Sequence, residues 1–268
     1  MIQYPDILTV VRGGGDLGSG VIWRLRRVGF PVVVLELPRP LTVRRTVAFS
    51  SAVTDGRIEI GGIAGVRVAS TDDALATARS GAVAVLVDES VPRFPIPISV
   101  LVDARLAKRN IDTTIDQAPL VVALGPGFVA GRDCDAVIET MRGHRLGRVI
   151  WDGPAAPDTG VPGEIGGESA RRVLRADGPG QLSWIADFGD EVDPGQELGQ
   201  IDGRPVTAQI GGTVRGLIGP GPVTAGLKIG DIDPRPDPGA IHEISDKALS
   251  IGGAAVEAVL VWMAGVAS

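Results

Sequence analysis

Ile7-Leu8-Thr9-Val10-Val11 runs directly into Arg12-Gly13-Gly14-Gly15-Asp16-Leu17-Gly18-Ser19-Gly20. The apolar run predicts a buried strand, and glycines 13, 15 and 18 fit G-x-G-x-x-G. Val21 to Val28 then predicts a helix, and Pro31-Val32-Val33-Val34-Leu35 a second strand ending on Glu36. This is the order that a dinucleotide-binding βαβ unit needs. The first glycine permits a tight turn, the second lets backbone approach a pyrophosphate, and the third lets helix and strand pack closely. Free N–H groups and the positive dipole end at the helix start favour phosphate there. Gly13, Gly14, Gly15, Asp16, Leu17 and Gly18 are therefore the expected contacts of a dinucleotide-type cofactor, with Glu36 on a ribose. The competing reading is a glycine turn in an α/β domain that binds nothing.

Working outward, strand-like and helix-like segments alternate through the first 150 or so residues. Val66 to Ala69 predicts a short strand, and Ala74 to Arg79 a helix with Thr71 or Asp72 as its N-cap. Ala82 to Val87, Val100 to Val102 and Leu120 to Leu124 read as buried strands, ending in Asp88, Asp103 and Gly125-Pro126-Gly127. Near-continuous apolar strands separated by helices indicate a parallel sheet covered on both faces. Ligands of such sheets sit at the carboxyl ends of the strands. That rule gathers Glu36, Asp88, Asp103 and the glycines at 125 and 127 with the first glycine loop.

From about Trp151 the texture changes to short alternating segments punctuated by Gly and Pro. Val192-x-x-Gly195-x-x-Leu198-x-x-Ile201 recurs as Val223-x-x-Gly226-x-x-Ile229-x-x-Ile232, around an Asp202-Gly203 turn. The repeat implies two interlocked β halves related by a pseudo-dyad. The expected architecture is α/β: a Rossmann-like parallel-sheet domain (1–155), a small all-β domain (156–236) and a C-terminal helix (237–268). Ile244 to Lys247 opens that helix, with Ser245 or Asp246 as cap. It is apolar enough to need cover, from the first domain or from a second subunit in a homo-oligomer. The stretch Ala248 to Ala267 has the length of a membrane span, but Gly252-Gly253, Glu257 and the lack of basic flanks favour burial in protein.

The chain has 268 residues, of which 44% are apolar, 22% charged and only 4% aromatic. These are the proportions of a globular protein with an aliphatic core. A net charge of −6 argues against nucleic acid as a partner. One cysteine, Cys134, precludes an internal disulfide framework, and no basic n-region precedes the first apolar run. Both suit the cytoplasm.

Several residues are candidates for chemistry. Asp103, Arg105, Lys108 and Arg109 follow a strand and suit a phosphate or carboxylate group of a substrate; a solvated helix face is the alternative. Cys134 precedes Ala136-Val137-Ile138-Glu139-Thr140, which reads as helical, so the thiol is a candidate nucleophile or soft metal ligand. Flanking Asp133 and Asp135 disfavour the thiolate, and a small buried turn residue is the alternative. His144 and His242 lack metal-ligand spacing, so no metal site is expected. Asp158-Thr159-Gly160-Val161-Pro162-Gly163 reads as a loop between the two regions. There is no G-x-S-x-G, no lysine closing the glycine loop as in a Walker motif, and no H-E-x-x-H. Tyr4 is the only tyrosine, which excludes a Tyr–Lys proton relay.

Residues 178–234 resemble a biotinyl/lipoyl-like barrel-sandwich domain, on Gly189-Asp190-x-Val192-x-x-Gly195-Gln196-x-Leu198 and Gly212-Thr213-Val214. Such carriers present a lysine at the central hairpin. This chain has Asp202-Gly203-Arg204 there, so no covalent biotin or lipoate is expected.

Nearly the whole chain resembles the accessory family of selenium-dependent molybdenum hydroxylases, a family of molybdenum cofactor biosynthesis proteins. The resemblance is carried by Arg12 to Gly20, Asp103 to Asn110, Ala123 to Phe128, Asp133 to Thr140, Pro157 to Gly163 and Ile244 to Leu249. It implies a factor for cofactor maturation or insertion, with molybdopterin dinucleotide as ligand and a molybdenum hydroxylase as client. It supplies no catalytic residue. The residues alone also admit an NAD(P)-dependent oxidoreductase or a non-catalytic nucleotide sensor.

Overall fold

The computed structural model describes residues 3–158, 160, 167, 168, 170–235 and 237–265. They form two compact units. The first comprises Met1–Pro40, Ala48–Asp158 and Ile244–Ser268, and the second Leu41–Val47 and Thr159–Glu243. The division therefore falls at Asp158 and Glu243, and Leu41–Val47 joins the second unit. Most of the expected loop 158–163 lies outside the described residues.

In the first unit the chain runs through β1 (Thr9–Arg12), α1 (Asp16–Arg27), β2 (Val32–Glu36), α2 (Ala52–Asp55), β3 (Arg57–Ile60), β4 (Ile63–Val68) and α3 (Thr71–Ser80). It continues through β5 (Val83–Val87), β6 (Val100–Asp103), β7 (Leu120–Leu124), β8 (Val129–Ala130), β9 (Ala136–Ile138), β10 (Val149–Ile150) and β11 (Gly153–Pro154). A nine-stranded sheet has the order β10-β9-β7-β6-β1-β2-β5-β4-β3. Its members from β9 to β4 pair in parallel, and the edge strands β3 and β10 pair antiparallel. β1 lies between β2 and β6, with Arg12 beside Leu35 and Asp103. The order of the sheet thus reverses at β1, whose end carries the glycine loop.

Alternation of the strands fills two cores. Val11, Val34, Val102, Val122 and Ile138 face α1 and the last helix, α4 (Asp246–Met263). Val10, Val33, Leu35, Leu101 and Val121 face the other way, toward Ala74, Leu75 and Ala78 of α3. α3 is capped by Ser70, whose hydroxyl accepts from Asp73 N–H, rather than by Thr71 or Asp72. Ser245 caps α4 in the same way, accepting from Ala248 N–H. α4 lies along α1 with backbones in near contact. A Cβ on Gly20 would collide with the Ala248 carbonyl, and one on Gly252 with the Gly20 carbonyl. Cover from α1 and from the strands buries the apolar stripe of α4. Among the described residues no helix is long and apolar enough to cross a membrane.

One local expectation fails. Ala136–Ile138 is a strand, not a helix. It pairs with Val122–Leu124 of β7 and is buried throughout. A run this short carries no periodicity that separates helix from strand, and pairing with the open edge of β7 decides it.

The second unit holds β12 (Val173–Arg175), β13 (Gly180–Trp184), β14 (Glu191–Val192), β15 (Glu197–Ile201), β16 (Arg204–Thr207), β17 (Gly212–Leu217), β18 (Gly221–Val223) and β19 (Lys228–Asp233). They form two antiparallel sheets, β12-β19-β17-β14 and β16-β15-β13-β18. The repeat explains the exchange of strands. β13-β14-β15 and β17-β18-β19 are equivalent halves, yet β14 pairs with β17 and β18 with β13. Equivalent residues Leu198 and Ile229, and Ile201 and Ile232, share one core. Arg45 and Thr46 tie Leu41–Val47 to this unit, donating to the Leu217 and Ile241 carbonyls.

Candidate functional site

The carboxyl edge of the parallel sheet collects most of the expected residues. Gly13 leaves β1 with φ +97°, a value that favours glycine, and its N–H donates to the Leu35 carbonyl. Gly14 N–H donates to Glu36 Oε2 at 2.8 Å. The Gly14 carbonyl accepts from Ser50 N–H and from the Ser19 hydroxyl, whose oxygen accepts from Phe49 N–H. Gly18 packs so closely on the Gly13 carbonyl that a Cβ would collide with it. The inner side of the loop is thus fixed by its own fold. Gly15, Asp16 and Leu17 are half-exposed, and Gly15 is an N-cap with no side chain. The first N–H groups of an α-helix such as α1 have no acceptor within the helix.

Glu36 is buried, and each carboxylate oxygen takes a backbone N–H, Oε2 from Gly14 and Oε1 from Leu37. Burial pushes its carboxyl above the ordinary range, against the pull of those two N–H groups. In this structure it acts as a clamp on the glycine loop. A ribose would have to share it.

Asp103, Arg105, Lys108 and Arg109 divide. Asp103, 1% exposed, accepts from Arg105 and from the Thr113 hydroxyl. Arg105 also donates to Asp112 at 2.7 Å, and Arg12, 2% exposed, holds Asp112 through two bonds of 2.8 Å. These four charges lock the ends of β1 and β6 to the following loop. Lys108 pairs with Asp158 at 2.8 Å. Arg109 is exposed and makes no ion pair among the described residues. Gly125 and Gly127 serve close packing: a Cβ on Gly125 would crowd the Thr140 hydroxyl, and one on Gly127 the Arg109 backbone.

Cys134 is fully buried, just before a strand. Burial first, then Asp133 and Asp135, push its thiol up to about 12. Burial and the raised thiol both disfavour the thiolate that a nucleophile or a metal ligand needs. Among the described residues no three His, Cys, Asp or Glu side chains are grouped to hold a metal ion.

The sequence reading assigned no role to the residues that α4 and the end of β9 add to this edge. Arg142 pairs with Asp246 at 2.8 Å. Glu139 is buried, its two oxygens accepting from Met141 and Ala156 N–H. It also lines a cleft of about 280 Å³ with Arg145, Arg148, Ile150, Pro154 and Ala156. Lys247 is half-buried on the first turn of α4. Burial, then Arg142, lowers its ammonium below the ordinary lysine range, and Asp16, Glu139 and Asp246 oppose this. Asp16 opens α1, so Lys247 stands near the mouth of the glycine loop. The motif Ile244-Ser245-Asp246-Lys247 was visible as a helix start. Its return across more than two hundred residues to Asp16 was not.

No family model matches the chain. The Escherichia coli (strain K12) protein named Uncharacterized protein YqeB is 44% identical over 259 residues, 96% of this chain and 48% of that one. The chain thus spans about half the length of this curated relative. Among solved structures, the Ectoine utilization protein EutE (DoeB) from Ruegeria pomeroyi is 12% identical and has a TM-score of 0.24, over 85% of this chain and 57% of that one. An aspartoacylase family protein from Mesorhizobium loti is 10% identical with a TM-score of 0.26, over 84% of this chain and 83% of that one. Likenesses at that level carry no argument about fold or chemistry. The chain is similar to YqeB over almost all of its length, and that similarity assigns it no activity.

Proposed function

We propose that the carboxyl edge of the first unit binds a dinucleotide-type ligand through its pyrophosphate, and that the chain is an accessory factor in maturation or insertion of the molybdenum hydroxylase cofactor. The observation that supports the ligand class is the glycine loop. It sits where the strand order reverses, its inner N–H groups are spent on Leu35 and Glu36, and its outer turn opens α1. Such crevices are where open α/β sheets take nucleotides. The residues present fit the group: glycine at 15 leaves the backbone open to approach, and the N–H groups from Gly15 onward are the donors for phosphate oxygens. The first unit is then Rossmann-like. The second is a barrel-sandwich module of the biotinyl/lipoyl type that carries no cofactor and serves structure or docking.

Molybdopterin dinucleotide is the ligand that the family resemblance implies, with a molybdenum hydroxylase as client. An NAD(P)-dependent oxidoreductase gains less support, because both Glu36 oxygens already hold the loop. The test is extraction and mass spectrometry of ligand from purified protein, with calorimetric titration of NAD+ and inorganic pyrophosphate. Gly15→Val should fold and lose binding. Retained pyrophosphate affinity in folded Gly15→Val would remove the site.

A further inference from the structure

Lysine occurs at three positions in this chain, Lys108, Lys228 and Lys247, among 26 basic residues. Lys108 pairs with Asp158, and Lys228 with Asp231. Lys247 makes no hydrogen bond or ion pair with the described residues, although it is half-buried. Two of its three acidic neighbours are engaged elsewhere, Asp246 with Arg142 and Glu139 with two backbone N–H groups, and the third, Asp16, opens the helix that follows the glycine loop. Burying a cation with no partner is costly unless something else meets it. The glycine loop, for its part, lacks the lysine with which many phosphate loops end. The packing of α4 on α1 through Gly20, Ala248 and Gly252 brings the starts of both helices to one edge, and Lys247 rides on the second of them.

We propose that Lys247 is the ligand's phosphate-binding cation, brought to the glycine loop by the packing of α4 on α1. An ammonium is a compact point charge with three donors, suited to a diphosphate that backbone N–H groups hold from the other side. The inference rests on the glycine-loop reading and adds a named cation to it.

The test uses the full chain and inorganic pyrophosphate as probe, titrated by calorimetry into wild type, Lys247→Gln, Lys247→Arg and Gly15→Val. Lys247→Gln is expected to weaken binding about tenfold or more, as loss of a charge-assisted contact does, with thermal unfolding unchanged. Lys247→Arg should recover most of the affinity. Pyrophosphate should also slow acylation of the Lys247 amine in wild type, a readout that a structural role would not give. Equal affinity in wild type and Lys247→Gln, with Gly15→Val impaired, overturns the lysine and leaves the glycine-loop site standing. Unimpaired Gly15→Val overturns that site, and no binding by wild type overturns both.

Discussion

Gly252 of α4 lies against the Gly20 carbonyl of α1, so closely that a Cβ on it would collide with the carbonyl and crowd Arg24. Its neighbour Gly253 is exposed, with nothing within 4 Å of a Cβ. Glycine to alanine inside a helix ordinarily stabilises by about 0.5–1 kcal/mol. Gly253→Ala should do so. Gly252→Ala should instead destabilise by roughly 1–3 kcal/mol, because backbone cannot give way as a side chain can. Urea unfolding of the two variants decides it, and equal signs would refute the contact.

The Arg12–Asp112 pair gives an acid-dependent contribution to stability. Arg12, and then Arg105, hold the Asp112 carboxyl at about 2. Its folded value lies below its unfolded one, so the contribution is complete above about pH 4 and disappears as pH falls toward 2. Asp112 is half exposed, and solvent screening keeps the effect modest. Asp112→Asn should therefore be less stable than wild type at pH 7, by an amount that shrinks on acidification. A difference that stays constant from pH 7 to pH 3 argues against the lock.

Cys134 should behave as packing. In the native protein its thiol should react with a disulfide reagent only as fast as the fold opens, and the rate should rise steeply in denaturant. Cys134→Ser should cost about 1 kcal/mol and leave pyrophosphate affinity unchanged. Rapid stoichiometric labelling of folded protein would show that the thiol is accessible after all.

The second unit should carry no covalent cofactor. Lys228 is its single lysine between residues 178 and 234, and it opens β19 in an ion pair with Asp231. The tight turn at Asp202-Gly203 offers no amine. The intact mass should equal the 27.7 kDa of the chain, and a biotinyl or lipoyl increment would reverse the assignment.

The alternation of buried strands and the glycine loop could be read directly, because parallel strands buried on both faces leave near-continuous apolar runs. Val32–Glu36 and Leu120–Leu124 are examples. The repeat at Val192 and Val223 announced the paired β halves for a similar reason: equivalent positions need equivalent burial. What stayed hidden was every relation fixed by distant partners. Ala136–Ile138 looks helical until β7 offers an edge. Glu36 looks like a ribose contact until its carboxylate is found on Gly14. Asp103 and Arg105 look like a binding pair until Arg12 and Asp112 complete the set. Lys247 looks like one more polar residue at a helix start until α4 is laid beside α1.

The exchange of β14 and β18 has a consequence for folding. Each half of the repeat lends its middle strand to the sheet of the other, so neither half can complete a sheet by itself. Losing one half dismantles its own sheet and strips the other sheet of an edge strand. The second unit should thus open as one cooperative block, with amides of β13, β15, β17 and β19 exchanging at a common free energy. Strand pairings of such wide sequence separation also make its assembly slow relative to a simple run of hairpins. A chain cut between Thr207 and Gly212 would leave the second unit in two incomplete halves, each short of the strand that the other lends it.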